Sequence, residues 1–348
     1  MNFESVAFVM LVFEIVSFVG LFFGLACGSI YNIYSKKQST KKSLMSNQII
    51  DSIVNGKSFV LPFKVYTLND LSLLLTVVEN FDCKFKGEKW ESIKREIYEK
   101  FLVKKAVAFE KSRNWVKRNF AARCFSLCPS GDNLASIFHL MDDPVFLVRG
   151  VVSNTVVKME SKEGVYKILE KMSSEQGYSY WYYRDILLSS SNRVFEWIEE
   201  YSLENSQTSL HLACLDVLEH PYFHLKKLNL EKDIYSSNPE IHLAALKILS
   251  HNPQLDAFKY ISEDLKDSNL EIQTEAIKTL EYGSYPGYLK ILEGKLRDSS
   301  WNVRLNSALT LLKNGKKGKE ILNNQKLASD KDAYEVSQFA LKFYWDFV

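Results

Sequence analysis

Apolar positions along this chain follow two patterns. From Phe8 to Ile30 they are nearly continuous, with Glu14 the one charged residue. A helix of that length reaches about 35 Å, enough to cross a bilayer. Beyond residue 47 the apolar and small residues become periodic, recurring at steps of four as on one face of a helix. Between the two, residues 35–47 are polar and lysine-rich, without apolar periodicity, and are expected to form a juxtamembrane linker. The pattern predicts four parts: an anchor over 1–34, the linker over 35–47, a helical N-terminal cap over 48–105 and a repeat array over 106–348. In the cap, 68–80 and 88–105 read as helices, the first led by Thr67 and Asn69 as caps.

The apolar stretch lacks the basic start of a cleaved signal, since residues 1–5 hold Glu4 and no Lys or Arg. All nearby positive charge follows it, at Lys36, Lys37, Lys41 and Lys42, with Tyr31 and Tyr34 at interfacial positions. These lysines are the expected membrane-surface charge. They place the N-terminus outside and the body in the cytoplasm. Glu14, Ser17, Gly20, Gly24 and Gly28 fall on one arc of the helix. Two readings stay open for that stripe: packing against another helix, including a second copy of this one, or glycines without a role beside a snorkelling carboxylate.

The body repeats. With Leu210, Ile241, Ile272 and Val303 as reference, 31 residues apart, leucine or isoleucine stands seven before (Leu203, Ile234, Leu265, Leu296). Serine stands four before (Ser206, Ser237, Ser268, Ser299), a small residue four after (Cys214, Ala245, Ala276, Ser307) and leucine eight after (Leu218, Leu249, Leu280, Leu311). The serines are expected to cap a helix, with S-x-x-E capping boxes at Ser237/Glu240 and Ser268/Glu271. Preceding segments, 255–265 and 288–296 among them, supply a second helix per unit. The register extends to Val148, to Val116 with Lys117, to Ser179 and to Val336, giving eight units. One such pair cannot bury its own apolar face, so neighbours must stack.

These units resemble HEAT repeats of the short type common in bacteria, most clearly at Leu265-Lys266-Asp267-Ser268 with Ile272, Ala276 and Leu280, and at Leu296-Arg297-Asp298-Ser299 with Val303-Arg304. The resemblance covers about two thirds of the chain. It implies an all-α fold, an α-solenoid wound as a right-handed superhelix of helical hairpins, used chiefly as a protein-binding scaffold. Arg follows the reference only at Arg149 and Arg304, with His211, His242 and Gln273 between, which puts an inter-repeat Asp–Arg ladder in doubt mid-stack. By symmetry the two histidines are expected at the surface or in a groove.

Charge and cysteine content narrow the partners. Of the formal +2, residues 1–46 supply all, leaving a neutral body that disfavours nucleic acid. Five scattered cysteines fit a reducing compartment, and Cys124 and Cys128 read as core packing. No phosphate loop, zinc-hydrolase or nucleophile-elbow motif is present. Asp216, Glu219, His220 and His224 lack the residues to complete a zinc set, so neither metal nor cofactor is expected.

The run Tyr178-Ser179-Tyr180-Trp181-Tyr182-Tyr183-Arg184, with Trp197 and Tyr201 nearby, cannot all face one buried stripe. Tyr180, Trp181, Tyr183 and Arg184 are the candidate partner-binding residues, against the alternative that the rings fill a wide gap between degenerate repeats. The expected function is a single-pass, non-catalytic adaptor of a bacterial inner membrane, binding a cytoplasmic or membrane protein. The alternative is a HEAT-like enzyme resembling a bilin lyase or a DNA glycosylase.

Overall fold

The computed structural model describes residues 3–64, 67–205, 207–219, 230–251, 261–282, 287–327 and 329–343; for 3–19, 231 and 282 only the backbone is described. Among these residues the fold is all-α, with no strand. The chain divides into two compact units, Met1–Val152 and Ser153–Val348.

The first unit opens with a single helix of 53 residues, α1 (Phe3–Asn55). Residues 35–47, expected as a linker, are helical and belong to it. Met45 and Ile49, one turn apart, are fully buried, and α1 packs on α2 (Leu68–Asp82) and α3 (Glu88–Ile97). Lysines at 41 and 42 hid this short apolar seam from the pattern. Thr67 caps α2 by accepting from the Asp70 amide at 3.2 Å. Among the described residues no helix is long and apolar enough to cross a membrane. For residues 8–19 of the expected span the side chains lie outside the described residues. In its remainder, Leu21, Phe22, Phe23, Leu25 and Ile30 are all exposed. After α3 a π-helical turn, Tyr98–Leu102, leads into α4 (Val103–Phe109). There follow α5 (Trp115–Leu127), α6 (Leu134–Leu140) and α7 (Phe146–Lys158), within which the division falls.

The second unit continues with α8 (Lys162–Ser174), α9 (Tyr178–Leu188), α10 (Asn192–Glu204), α11 (Thr208–Leu218), α12 (Leu230–Ile234) and α13 (Pro239–His251). It ends with α14 (Leu270–Thr279), α15 (Tyr288–Lys295), α16 (Trp301–Lys313), α17 (Gly315–Asn323) and α18 (Lys331–Phe343). The reference residues sit on α11, α13, α14 and α16, and each of these helices packs on the next, α16 in turn on α18. The period has a physical cause: Cys214, Ala245, Ala276 and Ser307 are all fully buried, so successive helices approach where a side chain is small. The leucines eight after the reference are buried too; of the residues seven before it, Ile234, Leu265 and Leu296 are buried and Leu203 is 51% exposed.

The turn before each helix differs from expectation. Asparagine, not the preceding serine, caps it: Asn238 and Asn269 each accept from the amide two residues on, at 2.9 Å, so no S-x-x-E box forms. Asn114 does the same for Val116. Two residues before the cap, a Ser or Asp accepts from the cap's own amide, as Ser236, Asp267 and Asp298 do. The carbonyl of that residue accepts from a side chain six residues later: Arg118 to Ser112, Arg149 to Asp143 and Arg304 to Asp298, at 2.7–2.8 Å. Gln273 makes the same bond to Asp267 at 3.5 Å. This lock corrects the register at both ends. Lys117, not Val116, is equivalent to Val148, and by its capping bond from Asp330 the last unit takes Ala333, not Val336, as reference. Ser206 and residues 255–260 lie outside the described residues.

Candidate functional site

In register, Ser179 would be the reference of α9, which puts Tyr183 where other units carry a small residue and Leu187 at the leucine position. Both are fully buried. Tyr183 was expected at a partner surface; instead it fills the core, because a unit without a small residue there must seat a ring in the gap. Ile186 completes that buried face.

The opposite side of α9 is different. Tyr178 is 74% and Trp181 58% exposed. The Tyr180 hydroxyl donates to Asp216 on α11 at 2.7 Å, and Arg184 Nε donates to the same carboxylate oxygen at 2.9 Å. The Tyr180 ring meets Trp181 edge-on at 5.5 Å, and the Arg184 guanidinium lies 5.9 Å from the indole centroid. Burial, then the bond to Asp216, pushes the Tyr180 phenol well above its ordinary pKa, so it remains a donor. An exposed indole is thus braced by two side chains that share one anchor on the next hairpin. Trp197 and Tyr201 do not join it: Arg193 covers the first, and the second stacks on Tyr166 at 3.8 Å and donates to Glu170.

The stacked helices also form shallow grooves of mixed charge. One of about 320 Å³ is lined by Lys247, Glu271, Thr274, Glu275 and Asn306; another of equal size includes Lys278, Glu281 and Lys313. Around α9, Arg184 is matched by Asp216, with Asp185 exposed beside it. His211 and His242, expected at a surface or in a groove, are 15% exposed and bond to Asp233 and Asp264 of the following unit at 3.0 and 3.2 Å. In the second unit histidine thus makes the Asp contact expected of arginine, and in the first unit Arg118 pairs with Asp143.

Thiol chemistry has little to work with. Burial pushes Cys124 far up, Cys128 up to about 11 and Cys214 up to about 12, which keeps all three protonated near neutrality. No group of metal-binding side chains occurs among the described residues, and His220 and His224 lie outside them.

At the N-terminal end, Lys36, Lys37 and Lys42 are exposed, whereas Lys41 pairs with the buried Asp70 and lies 4.9 Å from the Phe63 ring centroid. Lys41 thus serves the seam between α1 and α2 rather than the surface. A β-carbon at Gly20, Gly24 or Gly28 would meet no atom within 4 Å. The side chains of Glu14 and Ser17 lie outside the described residues. Asp216 is the residue whose role the motifs did not reveal, since they placed it only beside His220; its distance of 36 residues from Tyr180, one period plus five residues, was the available signal. Comparison with protein-family models and with curated proteins finds no match.

Proposed function

We propose that this chain is a non-catalytic, membrane-anchored adaptor. Its HEAT-like hairpins form an α-solenoid, a right-handed superhelix that offers a braced aromatic surface on α9 to a protein partner. The observation that carries this reading is the exposed pair Tyr178 and Trp181, with Trp181 held by Tyr180 and Arg184 on Asp216. Rigid, exposed aromatics with an adjoining arginine lose little entropy on binding and dominate protein interfaces. Balanced charge around them favours a protein over a polyanion. The anchor is supported by the near-continuous apolar run of 8–30, by the exposed Leu21, Phe22, Phe23, Leu25 and Ile30 of α1, and by Lys36, Lys37 and Lys42 following it. The open stripe of Gly20, Gly24 and Gly28 suits close approach by another membrane helix. Tethering raises the local concentration of whatever the body holds.

The test is differential recovery from detergent-solubilised membranes. Wild type should retain a discrete partner that Trp181→Ala and Tyr178→Ala lose at unchanged thermal stability. Equal recovery by both variants would remove the aromatic surface from the account.

A further inference from the structure

A second site is built into the first unit. Glu91, Arg95, Glu99, Val103 and Val107 succeed each other at steps of four, and all five line one open cleft of about 700 Å³. In an unbroken α-helix such a row winds round the axis by about 40° per step, because four residues overshoot the turn of about 3.6. The π-helical turn Tyr98–Leu102 lies in the middle of this row. Its i→i+5 bonding puts more residues in the turn and takes back part of that drift, so the row stays on one side of the cleft. Across from it stand Phe125, Leu127 and Cys128 from the end of α5, and Asp132 and Ser136 before and on α6. Asn133 pins the two sides together, donating to the Tyr98 hydroxyl at 3.2 Å and to the Cys128 carbonyl at 2.9 Å. The cleft is therefore preformed.

Its charges are incompletely matched. Lys94 is satisfied by Asp82 and Glu91, both at 2.9 Å. Arg95, Glu99 and Asp132 have no ion-pair partner among the described residues, an excess of one negative charge beside Val107, which is 59% exposed. From Glu91 to Val107 the wall is about 24 Å long at 1.5 Å per residue, the reach of about seven extended residues and too long for a compact metabolite.

We infer that this cleft binds a protein segment that alternates apolar and basic residues, its apolar side chains over Val103 and Val107 and its Lys or Arg groups on Glu99 and Asp132. The site is independent of the aromatic surface on α9.

The experiment uses the full chain in lipid nanodiscs and fluorescein-labelled 12-residue peptides that alternate Leu with Lys or Leu with Glu, read by anisotropy. Wild type should prefer the Lys peptide by about ten-fold or more. Glu99→Lys with Asp132→Lys should reverse that preference, and the shape-keeping pair Glu99→Gln with Asp132→Asn should weaken the Lys peptide by about five-fold. Val107→Asp in the otherwise wild-type chain should weaken the Lys peptide, a loss opposite to the gain that the added negative charge alone would produce. Trp181→Ala should leave Lys-peptide binding intact, which separates failure of this site from failure of the α9 surface. An unchanged preference after charge reversal, or no preference in wild type, would overturn the inference.

Discussion

Asp216 is the point at which packing and the proposed surface meet. Replacing it with alanine strands the Tyr180 hydroxyl and the Arg184 guanidinium together. A hydrogen bond to a charged acceptor contributes about 1.5 kcal/mol. The ion pair adds only about 0.5, since its side chains are 23% and 27% exposed and water screens them. Asp216→Ala should therefore cost about 2 kcal/mol, which at an m-value of about 2 kcal/mol/M moves the urea midpoint by about 1 M. Tyr180→Phe should cost about 1.5 kcal/mol, and a double-mutant cycle between them should return a coupling of similar size. Asp216→Ala should also weaken partner recovery while leaving Trp181 in place, because the indole loses its brace. Single and double variants that unfold within about 0.3 kcal/mol of wild type would refute the reasoning and reduce the contact to a solvated surface pair.

Arg118 and Asp143 should give a pH signature. Burial alone would raise the Asp143 carboxyl, but the Arg118 and Val145 bonds and the nearby Arg149 hold it below its ordinary value. A depressed folded pKa stabilises above the unfolded value of about 3.9 and is lost as pH falls through the folded one. The stability gap between wild type and Asp143→Asn should thus be full near pH 6 and close on acidification below about pH 4, as followed by urea titration. Gly318 lets α17 lie against α16: a β-carbon there would sit 1.8 Å from the Leu311 carbonyl oxygen. Gly318→Ala should cost about 2–3 kcal/mol and lower Tm by about 6–10 °C, whereas an unchanged Tm would deny that contact. Cys27 and Cys83 are both exposed on the protein. In sealed vesicles a membrane-impermeant maleimide applied on the body's side should label Cys83 and spare Cys27 until detergent is added; equal labelling in intact vesicles would argue against the anchor.

Much of the helical framework was legible because its cause is local and repeated. The small residues at Cys214, Ala245, Ala276 and Ser307 are read at 31-residue steps since each sits where one helix meets the next. The turn lock was harder to see, because Arg and Gln both bond back to a turn held by Ser or Asp, while His211 and His242 at the same position reach forward to Asp233 and Asp264. Matching by identity broke the ladder at His211 and His242, where matching by donor capacity would have kept it. Tyr183 shows the opposite failure. Its ring has the chemistry of an interface residue, but its place in the register is a core position, and position decides. The seam of Met45 and Ile49 was invisible for want of length, being one turn of apolar spacing within a lysine-rich segment. The cleft beside Tyr98–Leu102 depends on a π-helical turn that no residue pattern announced.

Site-specific photocrosslinking tests the central claim most directly: a benzophenone amino acid placed at Tyr178 of the full-length chain in living cells, followed by separation of membrane and soluble fractions. The account predicts one discrete protein adduct, in the membrane fraction, that disappears when Trp181 is also changed to alanine. An adduct indifferent to Trp181, or a chain recovered wholly in the soluble fraction, would contradict it.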